Sequence, residues 1–331
     1  MIISRTPMRI SFFGGGTDYN EWLKNNNGSI ISTTINKYNY INVRYLPQFF
    51  KYKNCIRYYK REETKYIKEI KHNSVRETLK FLKIKNGIEI IHNADLPARG
   101  GLGSSSSFTV GLLNALYALN GKMISKRNLA KNAIEIEQNK IRENVGLQDQ
   151  IATAFGGFNR IDFNNDNFVV SPITLSQRNL FKLQKNLLLV FTGFQRNASD
   201  IAKHQIQNIN KKKKELNQML EIVNEGYKIL SNKSIDINKF GNLLHKQWLL
   251  KKKMSQKITN NKIDKVYNEA LNHGALGGKL LGAGGGGFMI FCANLSSQKK
   301  IIKKLSELNC INIPFRFDYV GSQIIYHDTN I

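Results

Sequence analysis

The stretch Pro97-Ala98-Arg99-Gly100-Gly101-Leu102-Gly103-Ser104-Ser105-Ser106-Ser107 lies between two apolar patterns. Upstream, Ile88-Glu89-Ile90-Ile91 reads as a short strand. Downstream, Val110, Leu112, Leu113, Leu116 and Leu119 predict a buried helix over 108–119. Flexible linkers and anion cradles are both rich in glycine and serine. Strand, glycine turn and helix in that order aim backbone N–H groups and the positive end of a helix dipole at one spot. Glycines permit positive φ and let an anion approach the backbone closely. Serine hydroxyls add donors, and one of them suits Mg²⁺. The loop is not a Walker A loop, because Ser104 stands where that pattern needs Lys. The carboxylate context of a dinucleotide fingerprint is missing as well. Apolar flanks on both sides favour the cradle.

Two more glycine runs support that reading: Gly14-Gly15-Gly16-Thr17-Asp18, and Lys279 followed by the run 282–287. Each abuts a strand-like segment, 2–13 and Phe288 to Ala293 respectively. If the three runs converge, they make one anion site lined with backbone donors.

Elsewhere, Ile30 to Tyr45 reads as strand. Helices are predicted over 66–83, from the N-cap Ser125 to just before Gly146, and over 149–154. Leu187 to Phe191 reads as a buried strand. Helices over 198–230, 239–257, 261–273 and 296–308 and strands near 314–326 complete the pattern. Strict βαβ alternation is absent, so the class is α+β. The polar segment Asn164 to Leu180 divides the chain into an N-terminal half, 1–180, and a C-terminal half, 181–331.

With 331 residues, 41% of them hydrophobic, the chain has enough apolar material for a core in two domains. No apolar run approaches the roughly 20 residues of a membrane helix, and the N-terminus lacks a signal-peptide layout. Three scattered cysteines, Cys55, Cys292 and Cys310, fit free thiols in a reducing cytoplasm. The net charge of +26 comes from lysines spread along the chain, with runs 211–214 and 251–253 reading as solvated helix faces. This spread reads as compositional bias rather than a nucleic-acid footprint, because recognition motifs and aromatic–basic interleaving are both missing. None of the six histidines has metal-ligand spacing.

The segments RTPMRISFFGGGTDY, PARGGLGSSSS and KLLGAGGGGF resemble, in order and spacing, the three signature motifs of the GHMP small-molecule kinases. That family includes galactokinase, homoserine kinase, mevalonate kinase and phosphomevalonate kinase. The resemblance implies a two-domain fold, ribosomal-S5-like at the N-terminus and ferredoxin-like at the C-terminus. It also implies an ATP-dependent phosphotransferase with small-molecule partners, no nucleic acid and no membrane. The GGGTD form of the first motif is similar to the branch acting on the anomeric hydroxyl of D-glycero-D-manno-heptose 7-phosphate. L-fucokinases share a similar form.

Carried over residue by residue, the resemblance places ATP against Pro97, Gly100, Gly101, Leu102, Gly103, Ser104, Ser105, Ser106 and Ser107. It gives Mg²⁺ to Ser105 and Glu137, the latter 12 residues before Asp149. Asp149 takes the role of base, with Arg9 beside it. Gly15, Gly16, Thr17 and Asp18 would receive the sugar, and Lys279 with Gly285 and Gly286 would close over it. For a sugar phosphate, Arg196 is the preferred partner, with Arg99 and Lys203 as rivals. The competing reading from another class, an ATP- and sugar-binding sensor without catalysis, is disfavoured because Asp149, Glu137, Ser105 and Arg9 are all present.

Overall fold

Two antiparallel strands, β1 (Ile2–Phe13) and β2 (Gly28–Tyr45), pair along nearly all of β1 and form the spine of the molecule. The run Ile30-Ile31-Ser32-Thr33-Thr34-Ile35 is β-branched at five of six positions, which suits a pleated surface. The computed structural model describes residues 1–164, 167–194 and 198–328.

Around this spine a nine-stranded sheet grows. Its main path runs β13 (Gln323–His327), β1, β2, β5 (Ile88–Ala94), β3 (Asn54–Arg57), β4 (Arg61–Thr64). The first half of β2 also pairs with β6 (Phe158–Asn164), which carries β7 (Asn167–Pro172). The short β12 (Phe317–Asp318) pairs with the middle of β2. A second, antiparallel sheet runs β11 (Ile311–Ile313), β8 (Leu187–Phe191), β10 (Phe288–Ala293), β9 (Ala275–Leu280). Both β8 and β10 are apolar throughout, as expected of central strands.

The helices are α1 (Asn20–Leu23), α2 (Asn73–Phe81), α3 (Ser104–Leu119), α4 (Lys126–Ile134), α5 (Gln148–Phe155) and α6 (Gln177–Lys185). The later ones are α7 (Ala198–Asn208), α8 (Lys213–Ser231), α9 (Ile237–Met254), α10 (Asn261–Asn272) and α11 (Leu295–Glu307). Helix α3 is buried on most sides and lies against β1, β2, α4 and α5. Helix α9 packs on β9 and β10 and also reaches β1, so it joins the two sheets. At that junction Phe240 of α9 meets Phe12 and Phe13 of β1 edge-on, with ring centroids 5.5 and 5.3 Å apart.

Most predicted elements are present, with informative shifts. The helix predicted over 66–83 is a 3₁₀ turn (Ile67–Glu69) followed by α2. The single helix predicted over 198–230 breaks into α7 and α8. The segment 164–180 holds β7 and the start of α6 as well as turns. The chain does not stay in the second sheet after residue 180, since β12 and β13 return to the first. Among the described residues, no helix is long and apolar enough to cross a membrane. All three cysteines are buried free thiols.

Candidate active site

Helix α3 starts at Ser104, four residues earlier than the apolar pattern predicts, and its N-cap is Gly103 at φ 69°. The glycine supplies a left-handed turn and no side-chain cap, so the first helical N–H groups stay open to a ligand. Gly101, at φ 85°, is pressed against the third motif: a Cβ there would lie 2.4 Å from the Leu281 carbonyl oxygen. Gly282 answers from the other side, where a Cβ would lie 2.4 Å from the Gly101 Cα. The Phe288 N–H donates to the Gly100 carbonyl at 2.9 Å, locking the second motif to the third. The first motif joins through β1, whose Arg9 N–H donates to Leu102 O at 2.9 Å. The three glycine-bearing segments therefore meet around one point.

At that point Arg9, 2% exposed, donates Nε to Asp149 Oδ1 at 2.8 Å and Nη2 to Oδ2 at 2.7 Å. Its Nη1 donates to Gly101 O at 2.6 Å. One guanidinium thus fixes both the carboxylate and the serine loop. Asp149 keeps 26% of its side chain exposed, so its carboxylate is held in place yet open to a reactant. Asp18 is buried and accepts from Gly16 N at 3.0 Å and Gln148 N at 3.2 Å. Burial pushes its carboxyl above the usual range, the Asp149 charge adds to this, and those backbone donors oppose it.

Glu137 reaches the site by way of a local distortion. Helix α4 ends in a π-helical turn, Glu135–Lys140, in which Ile141 N donates to Ile136 O at 2.8 Å. Such turns insert an extra residue and recur at functional sites. Glu137 is fully buried, and its Oε2 accepts from Ser106 Oγ at 2.8 Å and from Gln150 Nε2. Its Oε1 is buried without a partner. Burial pushes the carboxyl up to about 7, against the nearby Thr109 and Ser106 hydroxyls, which favour its ionised form.

The four serines separate by role. Ser107 donates its hydroxyl to Thr6 O at 3.0 Å and docks α3 on β1. Ser106 is the serine on Glu137, while Ser105 is exposed at the helix N-terminus. Ser104 is buried. Thr17 shapes the first glycine turn, donating to Gly14 O at 2.8 Å. Gly285 N donates to Ile258 O at 2.8 Å, which anchors the third loop. Gly286 faces the Phe194 ring. Pro97, Arg99 and Lys203 are exposed, and Arg196 lies outside the described residues.

Two lysines depart from the sequence reading. Lys251 is buried, not solvated: its Nζ donates to Leu280 O at 3.1 Å and to Gly282 O. Burial pushes it down to about 7 and the Arg9 charge adds to this, against the Asp18 and Asp149 charges. Lys279 does not cover the cleft. Its Nζ donates to Ser11 O at 2.8 Å and Phe12 O at 3.0 Å, tying β9 to β1. Burial takes it well below the usual lysine range, helped by the Lys251 and Arg9 charges. The helical repeat Leu244, Trp248, Lys251 along α9 is the signal that marks Lys251 as inward. Arg9 and two buried lysines thus lie close to the Asp18 and Asp149 carboxylates, and burial disfavours the charged form of both lysines.

Both halves of this architecture match family models. The GHMP kinases N terminal domain matches residues 65–157, and the GHMP kinases C terminal domain matches residues 229–309, together just over half of the chain. The chain belongs to the GHMP kinases. It is a small-molecule kinase, a phosphotransferase whose acceptor is a hydroxyl group. Among its relatives, the D-glycero-alpha-D-manno-heptose 7-phosphate kinase of Campylobacter jejuni is 29% identical over 320 residues, covering 92% of this chain and 93% of that one. A mevalonate kinase of Methanocaldococcus jannaschii is 27% identical over 251 residues, 71% of each chain. A solved structure of a putative sugar kinase from Campylobacter jejuni superposes with a TM-score of 0.71 at 26% identity, covering 98% of both chains. Among the described residues, no group of three or more His, Cys, Asp or Glu could hold a metal ion.

Proposed function

We propose that this GHMP kinase is an ATP-dependent sugar-1-kinase that phosphorylates the anomeric hydroxyl of D-glycero-α-D-manno-heptose 7-phosphate. The product would be the 1,7-bisphosphate, which serves GDP-heptose and surface-polysaccharide synthesis in the cytoplasm. The observation that carries the reading is Asp149, clamped by Arg9 at the open N-terminus of α3 with Asp18 beside it. A relative that spans nearly the whole chain and carries that activity by name supports the choice of sugar.

In the reaction the α3 N-terminus and the glycine backbone cradle the triphosphate. Asp149 accepts the proton of the attacking hydroxyl, or orients it, while Arg9 holds the carboxylate. The sugar oxygen bonds to the γ-phosphorus as the bond to the β–γ bridging oxygen breaks, leaving ADP. Mg²⁺, when bound, neutralises the triphosphate charge. Glu137 and a serine hydroxyl of the α3 N-terminus would hold it, and the unpartnered, buried Glu137 Oε1 fits that role. Arg196 is the candidate for the 7-phosphate.

A coupled ADP-release assay over phosphorylated and free six- and seven-carbon sugars tests the reading. Heptose 7-phosphate should be consumed far faster than mannose, fucose or galactose, and only with Mg²⁺. Asp149→Asn should lose at least about a hundredfold in kcat while still binding ATP. Equal turnover of unphosphorylated sugars would refute the substrate, and near-normal turnover by Asp149→Asn would refute the site.

A further inference from the structure

We propose that Ser11 and Gln148 are hydroxyl-binding residues that set which acceptor this kinase takes. The inference rests on the reading of the cleft as a phosphotransfer site for a polyol.

Ser11 lies near the end of β1 and is 5% exposed, and its Oγ is buried without a hydrogen-bond partner. Gln148 opens α5, one residue before Asp149, and its Oε1 is likewise buried and unpartnered. Native folds leave few such atoms, because each costs the desolvation of a polar group with no return. Two of them on side chains beside Gly15, one adjoining Asp149 in the chain, mark a place for a ligand's polar groups.

The two side chains converge on Gly15. The Ser11 Oγ and the Gln148 Nε2 each lie 3.7 Å from the point where a Cβ on Gly15 would sit. Unlike its neighbours Gly14 and Gly16, Gly15 has no positive φ. At 3.7 Å a methyl group would make ordinary contacts. Neither backbone strain nor crowding therefore asks for glycine here. Ser11 and Gln148 thus flank Gly15, and the Gln148 backbone N–H donates to Asp18 Oδ2 at 3.2 Å, which sets that carboxylate beside the same pair.

The chemistry of the lining selects the ligand class. An ionised Asp18 and the Gln148 Oε1 accept, the Gln148 Nε2 facing Gly15 donates, and the Ser11 hydroxyl can do either. Such a mixed set of donors and acceptors matches adjacent O–H groups of a sugar, each of which can both donate and accept. Sites that hydrogen-bond a substrate hydroxyl discriminate strongly, because an analogue without it leaves the buried groups unpaired.

The test uses the full-length chain and the variants Ser11→Ala, Gln148→Met and Gly15→Ala. Apparent KM for acceptor and for ATP, kcat and Tm are measured for each, with acceptor binding followed separately by calorimetry. Each variant should raise acceptor KM about tenfold or more while ATP KM stays within twofold. Tm should hold or rise in Ser11→Ala and Gln148→Met, because an unsatisfied buried atom has been removed. Acceptor KM within twofold of wild type in both overturns the proposal. So does a fall in Tm with acceptor binding unchanged, which would make the pair structural. If the wild type turns over another alcohol rather than a sugar, the sugar reading fails, yet the same variants on that alcohol still decide the role of the pair. If no alcohol binds or reacts, both readings fall.

Discussion

Burial opposes the charged forms of Glu137 and Lys251, and the two groups make stability depend on pH in opposite senses. The Glu137 carboxyl is pushed from 4.5 to about 7 by burial, so the folded chain keeps a proton that the unfolded chain loses. Its contribution to stability is full below about pH 4.5 and is lost as pH rises through about 7. Lys251 is lowered from 10.5 to about 7, so the unfolded chain binds the extra proton and stability grows as pH rises from about 7 towards 10.5. Together they contribute least near neutrality, where a metal and a triphosphate would supply the missing charges. In denaturant titrations at pH 5, 7 and 9 without nucleotide, Glu137→Gln should be more stable than wild type at pH 9 by on the order of 3 kcal/mol. It should lose Mg²⁺-dependent turnover all the same. A Glu137→Gln protein with the wild-type pH slope would show that burial does not penalise this carboxylate. Lys251→Met should lose the rise in stability above pH 7, and the same titrations check it.

The contact between the second and third glycine segments is a backbone-on-backbone approach with no room for a side chain. Gly101 combines a φ of 85° with a hypothetical Cβ 2.4 Å from the Leu281 carbonyl oxygen. Gly101→Ala should therefore cost about 2–4 kcal/mol and push the third loop away from the α3 N-terminus. Nucleotide binding should weaken more than stability alone explains, as measured by calorimetry well below Tm. The π-helical turn after α4 is a second device of this kind. Deleting Asn139 to restore α-helical register should swing Glu137 out of the core and remove metal-dependent activity with modest loss of helix by circular dichroism.

Across the molecule, the chain's last described strand completes the sheet that carries Arg9. Strand β13 pairs with β1, Ser322 Oγ hydrogen-bonds Thr6 Oγ1 at 2.7 Å, and a Cβ on Gly321 would lie 2.1 Å from Ala154 O. Removing residues 321–331 should uncover the β1 edge, lower Tm by several degrees and promote aggregation, as seen by light scattering. Helix α9 plays the complementary part: its apolar face seats Phe240 against β1, and its Lys251 holds the third loop. The two sheets are therefore joined at the cleft itself, and a shift of one against the other would alter catalysis before it altered either core.

The three glycine segments, the apolar strands and the buried α3 were legible because local physics dictates them: backbone freedom, side-chain period and helix-end donors act over a few residues. The resemblance pointed to Arg9, Asp18, Glu137 and Asp149 through motif spacing; the fold sets Arg9 on Asp149 with Asp18 nearby, and Glu137 on Ser106. What stayed hidden depends on partners far away in sequence. Lys251 read as one of three solvated lysines, yet Leu280 and Gly282, about thirty residues on, bury it. Lys279 turned out to lie beneath the site because its ammonium meets carbonyls of β1. Ser107 shared an ATP-binding reading with Ser104 and Ser106 until the Thr6 carbonyl singled it out. A side chain's charge state and direction follow from desolvation and hydrogen bonding, and both are set only when distant segments pack together.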